Sequence, residues 1–241
     1  MDTRVAERLL RLNREFYQTF SAPFIQTRER LQPGAARIAR MVPQHARVLD
    51  LGCGPGQFAH HLAVETAPRS YLGLDLSPEL LLRARSGVDD EARNSFRFVC
   101  ADLAAGALPL GQGSRFDWIL LFAVLHHLPG HARRAAACRA AHAHLAPGGK
   151  LAMSNWQFIR SERLRARIVP WSRLSLDESD VDPGDALLDW RRGGSGLRFV
   201  HLIDAAERAE LCREAGFREV EAFSCDGEGG RLSDYAIWQA Q

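Results

Sequence analysis

The sequence predicts an α/β protein with a doubly wound, largely parallel sheet. Three observations carry that expectation. From about residue 46 to residue 156, short apolar runs alternate with helical periodicities in the order βαβαβαβαβ, the pattern of strands joined by covering helices. One run, "FDWILLFAVLHHL", is too apolar for a strand with one wet face and suits a sheet covered on both sides. The first run passes directly into "GCGPG", Gly52 to Gly56, a bare turn of the kind that brings backbone up to a ligand.

The elements follow in order. Between Thr3 and Phe20, the residues Val5, Leu9, Leu12, Phe16 and Phe20 fall at helical spacing. A second helical stretch follows Pro33, with Ile38 and Met41 on one face, and residues 1–42 read as an N-terminal helical cap. The core spans 43–158. "ARVLDLG" is its first strand and "GQFAHHLAVET" the helix after it. "SYLGLDLS" is the second strand; Ser77-Pro78 then opens the helix "PELLLRARSG", with a capping hydroxyl and a proline in the first turn. "FRFVCADL" is the third strand and "FDWILLFAVLHHL" the fourth. The Ala-rich helix "HARRAAACRAAHAHLAPGG" is stopped by Pro147-Gly148-Gly149, and "KLAMSNWQF" is the fifth strand. Residues 159–197, rich in Arg, Asp, Gly and Ser, read as a long insertion, and loops that long in compact domains usually carry function. In 198–241 the helix "DAAERAELCREAGF" and the strands "REVEAFSCDG" and "DYAIWQAQ" complete the sheet, making 1–241 a single domain.

The bulk numbers are ordinary. The 241 residues are 46% apolar and 25% charged, with a formal net charge of +2. That balance neither requires nor excludes a nucleic-acid partner, because a basic face can hide in it. Lys150 is the only lysine, so the preference for arginine is global and carries little local meaning. Cys53, Cys100, Cys138, Cys212 and Cys225 are scattered without CxxC spacing, which argues against disulfides and zinc. No histidine–acid cluster has metal-ligand spacing. A polar N-terminus and the lack of a long apolar run lead to the expectation of a soluble, cytoplasmic protein with no membrane partner.

The glycine turn is G-x-G-x-G. It lacks the last glycine of the dinucleotide fingerprint, and no GK[ST] follows to make a phosphate loop. The second strand ends in Asp75, about 20 residues on, where an acid in such sheets reaches ribose hydroxyls. Its bland role, capping the next helix, is served better by Ser77. Asp102 ends the third strand, where a carboxylate can accept from an adenine amino group or simply face solvent. Cys53 reads as a small residue that fits the turn rather than as a nucleophile.

Taken together, "VLDLGCGPGQF", "GLDLSPELL", "ADL", "FDWILLFAVLHHL" and "LAPGGKL" resemble the successive motifs of class I S-adenosylmethionine-dependent methyltransferases, over roughly Ala46 to Asn155. The resemblance implies a Rossmann-like, seven-stranded sheet with one antiparallel strand. It implies S-adenosylmethionine as cofactor and S-adenosylhomocysteine as product. By position, Asp50, Gly52, Cys53, Gly54 and Gly56 would line the methionine side, Asp75 and Leu76 the ribose, and Asp102 and Leu103 the adenine. Phe122 would face the sulfonium, with His127 against the methionine end. More loosely, "FYQTFSAPFIQTRERLQPG" and "GDALLDWRRG…LRFVHLIDAAE" are similar to segments of methyltransferases that esterify 5-carboxymethyluridine at the tRNA wobble position. That similarity implies Arg28, Trp190, Arg198 and His201 on the acceptor side, with Arg28, Arg198 and His201 as the catalytic candidates.

Two acceptor classes then stand side by side. One is a tRNA carboxylate, for which Arg160, Arg163, Arg165, Arg167, Arg191 and Arg192 should gather at the cleft and Trp156, Trp171 or Trp190 stack on a base. The other is a small metabolite methylated on oxygen or nitrogen, with 159–197 as a lid. A third reading, from another class, is a non-catalytic cofactor-binding interaction protein. A small partner subunit and a homodimer are both compatible with the sequence. A carboxylate acceptor would need no base, since model carboxyl groups titrate near pH 4; a phenol or amine would need one, with His126 or His127 the nearest candidates.

Overall fold

The computed structural model describes the chain except residues 27–29, 66–69, 90–93, 106–107 and 112. Its main sheet has seven strands: β1 (Arg47–Leu51), β2 (Ser70–Asp75), β3 (Phe96–Cys100), β4 (Phe116–Phe122), β5 (Leu145–Trp156), β9 (Phe217–Cys225) and β10 (Ser233–Ala240). They lie in the order β3-β2-β1-β4-β5-β10-β9. β1 to β5 run parallel, and β10 lies antiparallel between β5 and β9, as the family resemblance implies.

Both faces of the central strands β1, β4 and β5 are buried, which explains why they read as apolar runs. Leu49, Leu51, Ile119, Leu121 and Met153 point to one side, under α6 (His131–Ala143) and α8 (Ala205–Glu214). Cys138 and Cys212 are interior residues of that layer. Val48, Trp118, Leu120 and Ala152 point to the other side, under α3 (Pro33–Ala39), α4 (Gln57–Glu65) and α5 (Pro78–Ser86). Local chemistry sets the helix starts. The Ser77 hydroxyl accepts from Leu80 N at 3.3 Å at the head of α5, and Asp204 accepts from Glu207 N at 2.8 Å at the head of α8.

Two expectations need correction. First, the fourth strand ends at Phe122. Ala123 turns out of it at φ 56°, and Leu125–His127 form a single tight helical turn that puts both histidines at the cavity, His126 buried. Second, 159–197 is no simple loop. α7 (Glu162–Arg165), β6 (Ile168–Val169) and β7 (Asp185–Trp190) lie within it, and β8 (Gly196–His201) follows. β6, β7 and β8 form a separate antiparallel sheet, so residues 198–201 do not complete the main one. One face of this small sheet packs Leu187 and Phe199 on Trp171 and on Leu9 of α1 (Thr3–Thr19). The other face packs Ala186, Leu188 and Val200 on Phe158 and Leu164. α1 therefore joins the small sheet to the main domain, and α2 (Ser21–Gln26) continues from its end.

Candidate active site

A cavity of about 480 Å³ opens at the carboxyl ends of β1 to β4. Its floor is the turn after β1. Gly52, Gly54 and Gly56 all have positive φ, at 81°, 55° and 83°. The reasons differ. A Cβ on Gly52 would sit 2.4 Å from Val124, and one on Gly56 would meet Ala84 at 2.8 Å. On Gly54 a Cβ would meet nothing within 4 Å, so this glycine leaves bare backbone beside open space. Gly56 is not among the lining residues; it sets the close approach of α4 to α5.

Three acids stand around the floor. Asp75, at the end of β2, accepts from Gly54 N at 2.8 Å and from Ser77 N at 2.9 Å. Burial pushes its pKa up, against those backbone hydrogen bonds. Asp50, at the end of β1, is 3% exposed and accepts from the Tyr71 hydroxyl at 2.5 Å, while its Oδ1 has no partner. Burial raises its pKa to about 7, against the pull of the Tyr71 hydrogen bond, and the nearby Asp75 adds to the rise. Asp102 lies just past β3. It accepts from Ala104 N at 2.9 Å and forms an ion pair with Arg14 of α1. Leu76, Leu103, Cys53, Phe122 and His127 also line the cavity. Burial and the neighbouring carboxylates hold the Cys53 thiol protonated, the opposite of what a nucleophile needs.

α1 roofs the cavity. Asn13 anchors it, exchanging hydrogen bonds with both backbone groups of Phe199 (3.1 and 2.9 Å) and donating to His127 O at 3.2 Å. Tyr17 Oη lies 2.8 Å from His127 Nε2, and His127 Nδ1 lies 3.3 Å from Phe199 O. A carbonyl only accepts, so Nδ1 carries the proton and Nε2 takes the Tyr17 hydroxyl. Asn13, Arg14, Tyr17 and Tyr71 escaped the sequence reading. The available signals were an asparagine inside the apolar stripe of α1 and a buried tyrosine hydroxyl that needs a partner.

Arginines line the cavity as well, along with the carboxylate of Asp226. Arg198, on β8, is 6% exposed. Its guanidinium carbon lies 5.2 Å from the Phe16 ring, 4.9 Å from Trp156 and 5.9 Å from Trp190, and its Nε has no partner. Among the described residues no carboxylate pairs with it. Arg30 and Arg163 also line the cavity, again without an ion pair among the described residues. Of the six arginines expected at an RNA-binding cleft only Arg163 does so; Arg160 is paired with Asp234 at 2.7 Å and Arg191 with Asp189 at 2.5 Å.

His201 is not in the cavity. Its Nδ1 lies 2.6 Å from Asp185 and its Nε2 2.7 Å from Glu207, which also holds Arg134 at 2.7 Å. Both ring nitrogens therefore donate, and the side chain serves a buried ion cluster. Arg28 lies outside the described residues. Trp171 packs in the core with Leu9 and Leu187. His131, Glu210 and Glu214 converge between α6 and α8, but they are partly or fully exposed, and His131 contacts Glu214 at 3.0 Å.

Comparison with known proteins adds the following. A methyltransferase-domain family model matches residues 48–149. A trans-aconitate 2-methyltransferase of Variovorax paradoxus is 37% identical over 242 residues, covering 85% of this chain and 89% of that protein. One from Delftia acidovorans is 35% identical, covering 85% and 90%. Among solved structures, an S-adenosylmethionine-dependent methyltransferase from Methanosarcina mazei superposes with a TM-score of 0.66 at 20% identity, covering 88% of this chain and 98% of that one. The amino pentose methyltransferase CalS10 of Micromonospora echinaspora, solved with S-adenosylmethionine bound, gives 0.62 at 22%, covering 93% and 97%.

Proposed function

The chain belongs to the class I S-adenosylmethionine-dependent methyltransferases, and from that premise we propose that it esterifies a carboxylate of a small organic acid carrying more than one carboxyl group. One observation carries the choice of acceptor: Arg198 is a buried guanidinium with no counter-charge among the described residues. An unpaired buried cation is costly, so a chain that keeps one at a cavity wall is built to receive an anion there. A fixed planar fork suits a carboxylate. Arg30 and Arg163 supply further positive charge for a second carboxylate. The relatives named as trans-aconitate 2-methyltransferases support a small acid. The scattered placement of the other arginines gives the tRNA reading no comparable footing.

The site suits the cofactor. Asp50 keeps one carboxylate oxygen unpartnered for an ammonium group, and Gly54 leaves room against the backbone. In this reading Asp50 and Gly52 to Gly54 hold the methionine end, Asp75 and Leu76 the ribose, Asp102 and Leu103 the adenine, with Phe122 and His127 near the reacting carbon. When bound, S-adenosylmethionine supplies a methyl group already activated on a sulfonium centre and leaves as a neutral thioether. The protein's work is placement. Arg198 orients a carboxylate that is already ionised near pH 7, so no residue has to remove a proton. α1 and the aromatic cage keep water out. Aligned placement of this kind supplies on the order of 7–11 kcal/mol.

The test is transfer of labelled methyl to trans-aconitate, to related di- and tricarboxylates, and to total tRNA. Label should enter a polycarboxylate and be released as methanol by alkali. Alkali-stable label, or label on tRNA alone, would overturn the proposal. On the cofactor side, Asp75→Ala should weaken S-adenosylhomocysteine binding by about 100-fold, because it removes charged acceptors for the ribose and frees Gly54, and should leave the fold intact. Unchanged calorimetric affinity would remove Asp75 from the ribose.

A further inference from the structure

Tyr71 lies at the start of β2, is 1% exposed and is absent from the cavity lining. Its ring stacks on Phe96 at 5.3 Å and lies 5.7 Å from Phe98, so it has little freedom to move. Its hydroxyl reaches across to the neighbouring strand and donates to Asp50 Oδ2 at 2.5 Å. Oδ1 of the same carboxylate has no partner among the described residues although it is fully buried. A buried carboxylate oxygen left unpaired while its twin is tightly held needs an explanation, because the cost of leaving it so is large.

We propose that Tyr71 is a positioning residue for the charged end of the cofactor: it pins Asp50 by one oxygen and thereby aims the other at the ligand's ammonium group. The inference rests on the cofactor placement proposed above and assigns a role to a residue that touches no ligand. Tyr71 also sets the charge of Asp50. The titratable groups acting on Asp50 among the described residues are Tyr71 and Asp75 of β2 and Cys53 of the glycine turn. Burial and Asp75 favour the neutral acid, and only the Tyr71 hydrogen bond favours the carboxylate. No cation among the described residues offsets the burial. An arriving ammonium would do so, and Tyr71 lowers the cost of having Asp50 ionised when it arrives.

The experiment uses the whole chain and two probes: S-adenosylhomocysteine, which has the amino-acid end, and 5′-methylthioadenosine, which lacks it. Calorimetric affinities are measured from pH 6 to 8 for the wild type, Tyr71→Phe, Asp50→Asn and the double variant. The wild type should bind S-adenosylhomocysteine more tightly as pH rises through about 7. Tyr71→Phe should lose about tenfold at pH 7 and move that rise to higher pH, with methylthioadenosine affinity within about twofold of wild type. The double variant should bind no worse than Asp50→Asn. Equal losses for both probes, no loss for either, or full additivity with Asp50→Asn would each overturn the role of Tyr71. Asp50→Asn also covers a failure of Tyr71→Phe to fold: it keeps an acceptor for Tyr71, and an undiminished S-adenosylhomocysteine affinity in it would equally remove the basis of the proposal. Failure of the wild type to bind either probe would count against the cofactor placement instead.

Discussion

Arg198→Met will lower kcat/KM for the acceptor by about 10³-fold and leave S-adenosylhomocysteine affinity within about twofold. Methionine keeps the unbranched apolar stem of the side chain it replaces, though it stops short of the guanidinium, so Phe16, Trp156 and Trp190 keep something to pack on. What disappears is the charge. The same change should raise thermal stability, because the free protein no longer buries a cation that has aromatic rings but no carboxylate beside it among the described residues; about 1 kcal/mol or more is expected. Opposite signs for activity and stability distinguish an anion-binding residue from a structural one. Arg198→Lys should recover little, since a point charge on a flexible stem cannot reproduce the fork. Parallel losses of stability, cofactor binding and turnover would end the assignment.

His201→Ala will destabilise the fold by about 3–5 kcal/mol without a comparable effect on the cofactor. Removing the imidazole leaves Asp185, whose side chain is fully buried, with only a backbone hydrogen bond from Asp182 N among the described residues, and leaves Glu207 with Arg134 and a longer contact to His131. In melting experiments that is a fall of about 10 °C for a chain of this size. The loss should depend on pH. Burial opposes the charged form of His201, but the hydrogen bonds to Asp185 and Glu207 outweigh it and raise the pKa above the usual 6.5. A raised histidine contributes fully below its unfolded value, and its contribution fades as pH climbs through the folded one. Glu207 is held down to about 2: burial opposes this, and His201 and Arg134 prevail. Its contribution is present above about 4.5 and fades as pH falls toward 2. The gap between wild type and variant should therefore be widest from about pH 4.5 to 6.5 and narrow on either side. A gap that is flat from pH 5 to 9, or below about 2 °C, would show that the cluster is not ionised as described.

These two residues also mark where the sequence was legible. β1, β2, β4 and β5 could be read because they are mostly apolar runs with glycine or proline close by, and the edge strand β3 because of its Phe96-Phe98 alternation. The acids at their ends could be read because a parallel sheet puts its ligand-facing residues there. Arg198 and His201 were picked out by family resemblance, but their environments were not in the local pattern. The cage of Arg198 comes from residues 16, 156 and 190, and the partners of His201 from 134, 185 and 207. Burial assembled from such distant segments leaves no periodicity. The small sheet was missed for the same reason: Leu187 and Phe199 find Leu9 across most of the chain, while the arginine- and glycine-rich stretches around them look like loop. Tyr71 was hidden differently, since an aromatic at the start of a strand is ordinary until its hydroxyl is seen against Asp50.

One helix, α1, grips the Asp102 corner through Arg14 and the acceptor corner through Asn13, Tyr17 and Phe16. Two compartments thus share a single shutter. If cofactor and acceptor sit at these two corners as proposed, a shift of this one helix would change access to both, and their entry and exit would share one timetable.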